Sequence, residues 1–290
     1  MEPSWNKYDN AYKFLFSHKK IFLQFLQSFI NFDFVKNLNE SNLELIDKSF
    51  VSEEFISRES DIIYKISLAE REFYILFLLE FQSTPDKTFP VRIALYTLQL
   101  YDSIFRNSQK GLLPAIFPTV LYNGSNDWNI PVNISDLIEK TIPIQYIPSI
   151  EYFPLIEKDI HDDVLKQLHN LIAAVFYLEK RKKQEELQEA INEVLDYIKT
   201  EDIFNIRVFA VWLKRMFRQQ VTNNEIKKID NYLGVKAMIT TLAEAIEKKG
   251  IEKGIEKGIK KTAKRMKNEG FAIDQIQKVT GLTRKEIEKL

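Results

Sequence analysis

Cysteine is absent from the 290 residues, which excludes disulfide frameworks, thiolate zinc sites and cysteine nucleophiles together. That absence fits a reducing compartment. Histidine is scarce: His18, His161 and His169 are dispersed, and no Ser-His-Asp arrangement can be argued from them. His161-Asp162-Asp163 invites a metal reading, but adjacent residues do not share a helical face, and a capping acid cluster suits it better. Of only eight glycines, three fall in the repeat Gly250-Ile-Glu-Lys-Gly-Ile-Glu-Lys-Gly-Ile. That repeat lacks the preceding strand and terminal Ser or Thr of a phosphate-binding loop. Long apolar runs are missing too. Gln24 and Gln27 interrupt the stretch from Ile21 to Ile30, and Asn170 to Leu178 stops at Glu179, so neither spans a bilayer. The expectation is a soluble cytoplasmic protein with no membrane partner.

What is present is a chain able to fold. With 45% hydrophobic and 12% aromatic residues it can bury a substantial core, which argues against wholesale disorder. Net charge is zero, but its distribution is uneven: residues 246–290 hold thirteen Lys or Arg against seven Asp or Glu, and the remainder holds 28 against 34. The basic tail is suited either to phosphate contacts or to a solvated helical surface of alternating Lys and Glu.

Apolar spacing of three and four predicts a helix over 8–30, and alternation predicts a short strand from Leu43. Strands follow at 61–68 and 72–82 across the turn Ala69-Glu-Arg-Glu. Pro90 opens a helix to about Phe105, and a strand over 115–122 is stopped by Asn123-Gly124. Residues 125–158 read as irregular with a strand around 143–148. Helices are expected at 160–179, 182–199, 203–219 and 224–248, the first two with no breaker between them. In the repeat, Ile251, Ile255 and Ile259 form a slowly turning stripe on a helix that glycine makes marginal. Residues 270–290 read as a helix-turn-helix. Ile273, Ile276 and Val279 share one face, Gly281 supplies the turn, and Thr283 with Glu286 makes a capping box. Three parts result: 1–158, 159–248 and 249–290.

Asp61, Glu80 and Gln82 carry the chemistry. Each acid adjoins a strand-like run, and Glu80 and Gln82, two apart, leave one face of a strand. An acid on one strand and an acid-x-amide on the next suit a hard divalent cation, which takes oxygen ligands. The residues equally suit two strand ends facing solvent.

Asp61, followed nineteen residues later by Glu80-Phe81-Gln82, resembles the D…ExK core of the PD-(D/E)XK nucleases with Gln in the lysine position. More narrowly, five segments resemble, in order and spacing, the recombination-promoting nuclease (Rpn) family, whose members also carry the label "YhgA-like putative transposase". They are Tyr8-Asp-Asn-Ala-Tyr-Lys-Phe-Leu-Phe, Asp61-Ile-Ile-Tyr-Lys, Leu79-Glu-Phe-Gln-Ser, Pro90-Val-Arg-Ile-Ala-Leu-Tyr and Pro118-Thr-Val-Leu-Tyr-Asn-Gly. Phe81 stands where many relatives have His, with its side chain directed away from Glu80 and Gln82.

The resemblance implies an α/β fold with a restriction-endonuclease-like core of αβββαβ order, followed by an all-α C-terminal region. It implies Mg²⁺, with Mn²⁺ as an alternative, held by Asp61, Glu80 and the Phe81 carbonyl. Asp9 either completes that shell or caps the first helix, and Glu44 is a weaker substitute. Gln82 can orient water but cannot remove a proton. Arg92 and Tyr96, four apart on a helix, would contact phosphate or brace the acids, and Lys13 and Lys65 would add phosphate contacts. The expected function is metal-dependent DNA endonuclease activity linked to recombination or mobile DNA, by a homodimer formed through the helical C-terminal region. A non-catalytic DNA- or protein-binding module on a nuclease scaffold is the alternative. The transposase label has no D-D-E spacing behind it.

Overall fold

The computed structural model describes residues 4–46, 62–69, 71–82, 84–108, 111–181, 184–197, 201–217, 237 and 256–289. Within them the protein is α/β, built on one five-stranded mixed sheet in the order β1-β2-β3-β4-β5. The strands are β1 (Leu43–Leu45), β2 (Ile62–Leu68), β3 (Arg71–Glu80), β4 (Ala115–Tyr122) and β5 (Phe153–Ile156). β1, β2 and β3 run antiparallel to their neighbours, whereas β3, β4 and β5 are mutually parallel. Central β3 is buried continuously from Tyr74 to Glu80, as a strand covered on both faces must be.

Apolar periodicity runs unbroken through residues 8–30, yet the structure divides that stretch into α1 (Ser4–Phe16) and α2 (Lys19–Phe29). Local polar chemistry makes the break. Ser17 Oγ donates to the Lys13 carbonyl at 2.5 Å, and His18 Nδ1 sits 2.7 Å from the Phe14 carbonyl, closing the end of α1. Because α1 begins at Ser4, Asp9 is an interior helical residue and not the N-cap. After a short α3 (Asp33–Lys36), the chain enters β1.

β3 and β4 are joined by α4 (Phe89–Ser108), entered through a turn that Asp86 fixes: its Oδ1 accepts from the Thr88 N–H at 2.9 Å and hydroxyl at 2.7 Å. Pro90 occupies the second helical position, where its missing N–H costs nothing. At the end of β4, a Cβ on Gly124 would lie 2.2 Å from the Tyr122 ring, so only glycine fits this turn.

The strand expected near 143–148 is instead a 3₁₀ turn, Ile144–Tyr146, entered from Pro143 and closed by Tyr146 N–H to the Pro143 carbonyl at 3.0 Å. The fifth strand lies later, at Phe153–Ile156, where Thr119 Oγ1 locks it by donating to the Phe153 carbonyl at 2.9 Å. As an edge strand β5 tolerates Pro154.

The helix expected over 160–179 is two, α5 (Asp162–Leu168) and α6 (Leu171–Glu179). His169 turns left-handed at φ 43°, and the Asn170 side chain caps α6 by accepting from the Ala173 N–H at 2.9 Å. α6 ends at Glu179, so it is not continuous with α7 (Gln184–Tyr197); α8 spans Ile203–Phe217. The helix expected at 224–248 and the first turns of the glycine repeat lie outside the described residues, apart from Ala237.

α9 (256–268), α10 (Ile273–Thr280) and α11 (Arg284–Glu288) close on a small core of Ala263, Ile276 and Ile287. Gly281 turns at φ 71°, and Glu286 Oε2 accepts from the Thr283 N–H at 2.8 Å, as the capping box requires. Val279 is exposed, however. Three-residue steps drift by about 60° each, so it has turned some 120° from Ile273.

Two cores sandwich the sheet. One face packs on α1, α2, α6, α7 and α8 through Phe16, Phe22, Phe25, Phe77 and Phe176. The other packs on α4 through Leu76, Leu78, Phe89, Ile93 and Leu100, with Trp128 and Tyr152 closing its end.

Candidate functional site

Three parallel strands end side by side at Glu80, Tyr122 and Ile156. The carboxyl ends of parallel strands are where open α/β sheets bind ligands, since the chain there leaves the sheet as loops. Glu80 follows six buried apolar residues on β3 and is itself only 4% exposed. Alternation aims it to the α4 face, beside Leu78, and there Arg92 meets it: the guanidinium Nη2 donates to Glu80 Oε2, while Nη1 lies 3.5 Å from Asp86 Oδ2. Phe89 stacks under the same guanidinium at 4.8 Å. The acid that fixes the turn into α4 thus also holds the cation that α4 carries.

β3 ends at Glu80, so the irregular chain beyond it, not strand alternation, places Gln82. Gln82 is exposed, and its N–H lies 3.4 Å from Glu80 Oε1. Phe81 turns to the opposite face and packs against Tyr12 at 5.1 Å between ring centroids, as its direction in the sequence required. Asp61 lies outside the described residues, as does the side chain of Asp9. Among the described residues no group of three or more His, Asp or Glu gathers in a way that could hold a metal ion. Glu80 Oε1, with one long backbone contact, keeps lone-pair capacity for a cation.

Of the remaining sequence candidates, Tyr96 is buried in the core under α4. Lys65 pairs with Glu72 at 2.7 Å on the β2–β3 hairpin, Glu44 is exposed opposite Lys65 on β1, and Lys13 is half-buried on α1.

Sequence reasoning missed a buried polar cluster on the far side of Phe81. The Tyr12 hydroxyl donates to Glu157 Oε2 at 3.0 Å and also meets Glu179 Oε2, while Asn123 Nδ2 donates to Glu179 and lies 3.3 Å from the Tyr12 oxygen. The Asn123 N–H donates to the Glu80 carbonyl at 3.0 Å, tying this cluster to the end of β3. Burial first, then the neighbouring Glu179, pushes the Glu157 carboxyl well above the usual carboxylate range, against the pull of Tyr12 and Lys180. Burial and the two acids likewise raise the Tyr12 hydroxyl. Tyr12 and Asn123 sit in two of the five quoted segments, and that was their only signal.

The raised Glu157 carboxyl sets a pH dependence. The folded protein keeps a proton that the unfolded chain releases near 4.5, so stability falls as pH rises from there through the folded value. Glu157→Gln, which keeps an N–H donor beside Glu179, is expected to melt like the wild type in acid and above it at mildly alkaline pH. Thermal melts across that range check this; parallel curves would contradict it.

Among the described residues no helix is long and apolar enough to cross a membrane. The family described as "Putative transposase, YhgA-like" matches residues 6–205, and the chain belongs to it. Its similarity to the recombination-promoting nuclease RpnC of Escherichia coli K12 is 25% identity across 99% of this chain and 98% of that one. RpnD of Escherichia coli O157:H7 is 24% identical over 63% of this chain and 75% of its own, and RpnA of strain K12 is 23% identical over 84% and 83%. These relatives place the chain among Rpn/YhgA-like proteins. No solved structure gives a significant match.

Proposed function

We propose that this protein is a metal-dependent DNA endonuclease of the PD-(D/E)XK type, acting in recombination or on mobile DNA. The observation that carries the reading is Glu80: a carboxylate buried at the carboxyl end of a central parallel strand, held by Arg92, in a chain whose relatives are named recombination-promoting nucleases. A buried acid without a catalytic or binding role is costly, because desolvation opposes it and an apolar residue would serve the fold as well. Asp61, Glu80 and the Phe81 carbonyl are the proposed ligands of Mg²⁺ or Mn²⁺. A divalent ion supplies there a Lewis acid for the scissile phosphate and a lowered pKa for attacking water.

The chain's own residues do the rest. Arg92 fixes the Glu80 carboxylate and neutralises its charge before the ion arrives. Gln82, exposed beyond the strand, orients water through its amide without taking a proton. Tyr96 supports the Arg92 turn from within the core. Lys13 and Lys65 are the proposed phosphate contacts. Lys65 lies opposite Tyr74, six residues up β3 from Glu80, so it meets DNA about 20 Å from the scissile bond.

The test is plasmid nicking by purified protein with Mg²⁺, beside Asp61→Ala. Nicking that needs metal and vanishes in the variant is expected. Absence of nicking in the wild type, or full activity in Asp61→Ala, overturns the reading, and strand-transfer products in the same assay would favour the transposase label.

A further inference from the structure

Arg92 holds Glu80 from one side of the sheet, and the segment Glu80-Phe81-Gln82 is gripped from the other side as well. The Phe81 ring packs on the core that carries α1 and α6, against the fully buried Tyr12. The Glu80 carbonyl accepts from the N–H of Asn123, the first residue past β4, at 3.0 Å. Both grips lead to one anchor. The Tyr12 hydroxyl and the Asn123 amide meet at Glu179 Oε2, and the hydroxyl also reaches Glu157 beyond β5. Glu179 ends α6, whose residues from Leu171 to Leu178 are all buried; at its start, Asn170 donates to Ser28 Oγ on α2 at 2.8 Å. A helix packed on all sides cannot shift, so Glu179 is a fixed point. The Tyr12 hydroxyl has a single proton, yet its oxygen meets two carboxyl oxygens and lies 3.3 Å from the Asn123 amide nitrogen. A further proton therefore sits on one of the two carboxyls, in keeping with the raised Glu157, and the acids bind each other instead of repelling.

We infer that Tyr12, Asn123 and Glu179 are positioning residues for the strand-end site: through the Phe81 ring and the Glu80 carbonyl they fix the backbone from Glu80 to Gln82. The inference rests on the metal site proposed above, which needs the Glu80 carboxylate and the Phe81 carbonyl in one fixed relation. β3 ends at Glu80, so ladder pairing does not order Phe81 and Gln82, and side-chain contacts take over. Arg92 sets the carboxylate; the cluster sets the backbone that bears it. A purely structural role explains the cluster less well. The fold needs only apolar filling at this place, and acids are costly to bury unless their geometry is used. A hydrogen-bonded network of this kind gives rigidity and a single arrangement, which is what a site at a strand end lacks by itself.

The test reads backbone order and metal binding, not nicking, in the full-length protein. Tyr12→Phe leaves the ring on Phe81 and removes the hydroxyl; Glu179→Leu removes the anchor. Both are expected to speed hydrogen exchange of the Asn123 amide by about tenfold, the effect of losing one net hydrogen bond. Calorimetric titration with Mn²⁺ should show affinity lower by at least about tenfold in both, the size of outer-shell effects on a metal site. Glu179→Gln offers the same acceptor oxygen to Tyr12 and Asn123 and should stay near the wild type in both readouts. Val194→Ala, a cavity in buried α7 packing, should lower the melt and change neither. Unaltered exchange and affinity in Tyr12→Phe and Glu179→Leu overturn the inference. So does an equal loss in Val194→Ala, which would mark general softening. Should Glu179→Leu fail to fold, Tyr12→Phe alone decides. A wild type that binds no Mn²⁺ defeats the metal reading, and Asn123 exchange then judges the positioning separately: faster in Tyr12→Phe it stands, unchanged it falls.

Discussion

Replacing Glu80 with Gln is expected to lower the proposed Mg²⁺-dependent nicking by at least about a hundredfold while leaving the protein folded, since loss of a proposed ligand should exceed the effect of outer-shell changes. The amide keeps the volume of the side chain and an oxygen for Arg92, so the wall at the end of β3 is preserved. What disappears is the negative charge that a hard cation requires. The second readout separates this from a damaged fold. Mn²⁺ at a hundredfold excess over its dissociation constant stabilises a wild-type site by about 2.7 kcal/mol, and Glu80→Gln should show little of that gain. An equal metal-induced shift in both proteins would place the ion elsewhere, and unchanged nicking would remove Glu80 from the chemistry altogether.

Much of this arrangement was legible in the sequence, and the parts that were not share a physical cause. β2, β3 and β4 were readable because each is an apolar run bounded by a turn, and their bounds moved by only a residue or two. The helix breaks at Ser17-His18 and His169-Asn170 were hidden because the apolar pattern runs through both. Side-chain bonds to local backbone make those breaks, and periodicity does not record them. β5 was misplaced because a four-residue edge strand containing proline resembles a loop, whereas the isoleucines near 144 resemble a strand.

The site divided in the same way. Glu80 could be found by its strand and Arg92 by its helical position, but whether Arg92 grips phosphate or acid depended on a contact twelve residues apart that only folding supplies. Tyr12, Glu157 and Glu179 were beyond reach, since their bonds join residues 145 and 167 positions apart.

Arg92→Met should cost about 3–5 kcal/mol of stability, the largest expected effect of any single change at the site. Its guanidinium side chain is 15% exposed and the Glu80 side chain 5%, so solvent screens the pair weakly. With Arg92 gone, the buried Glu80 carboxylate loses its cationic partner in a largely apolar wall, and Asp86 loses its link to Arg92. The asymmetry of buried pairs gives the decisive control. Removing both partners, as Glu80→Leu with Arg92→Met, leaves no orphaned charge, and replacement by apolar residues of similar volume is often neutral. The double variant should therefore melt close to the wild type, well above Arg92→Met alone, yet show no nicking and no metal-induced stabilisation. Thermal melts of the four proteins give the coupling between the two side chains. If Arg92→Met melts like the wild type, the guanidinium is not what holds Glu80 in place. If the double variant is as unstable as the single one, the loss lies in packing rather than charge. A stable but inactive double variant would show that this ion pair exists for the chemistry at the strand end and not for the fold.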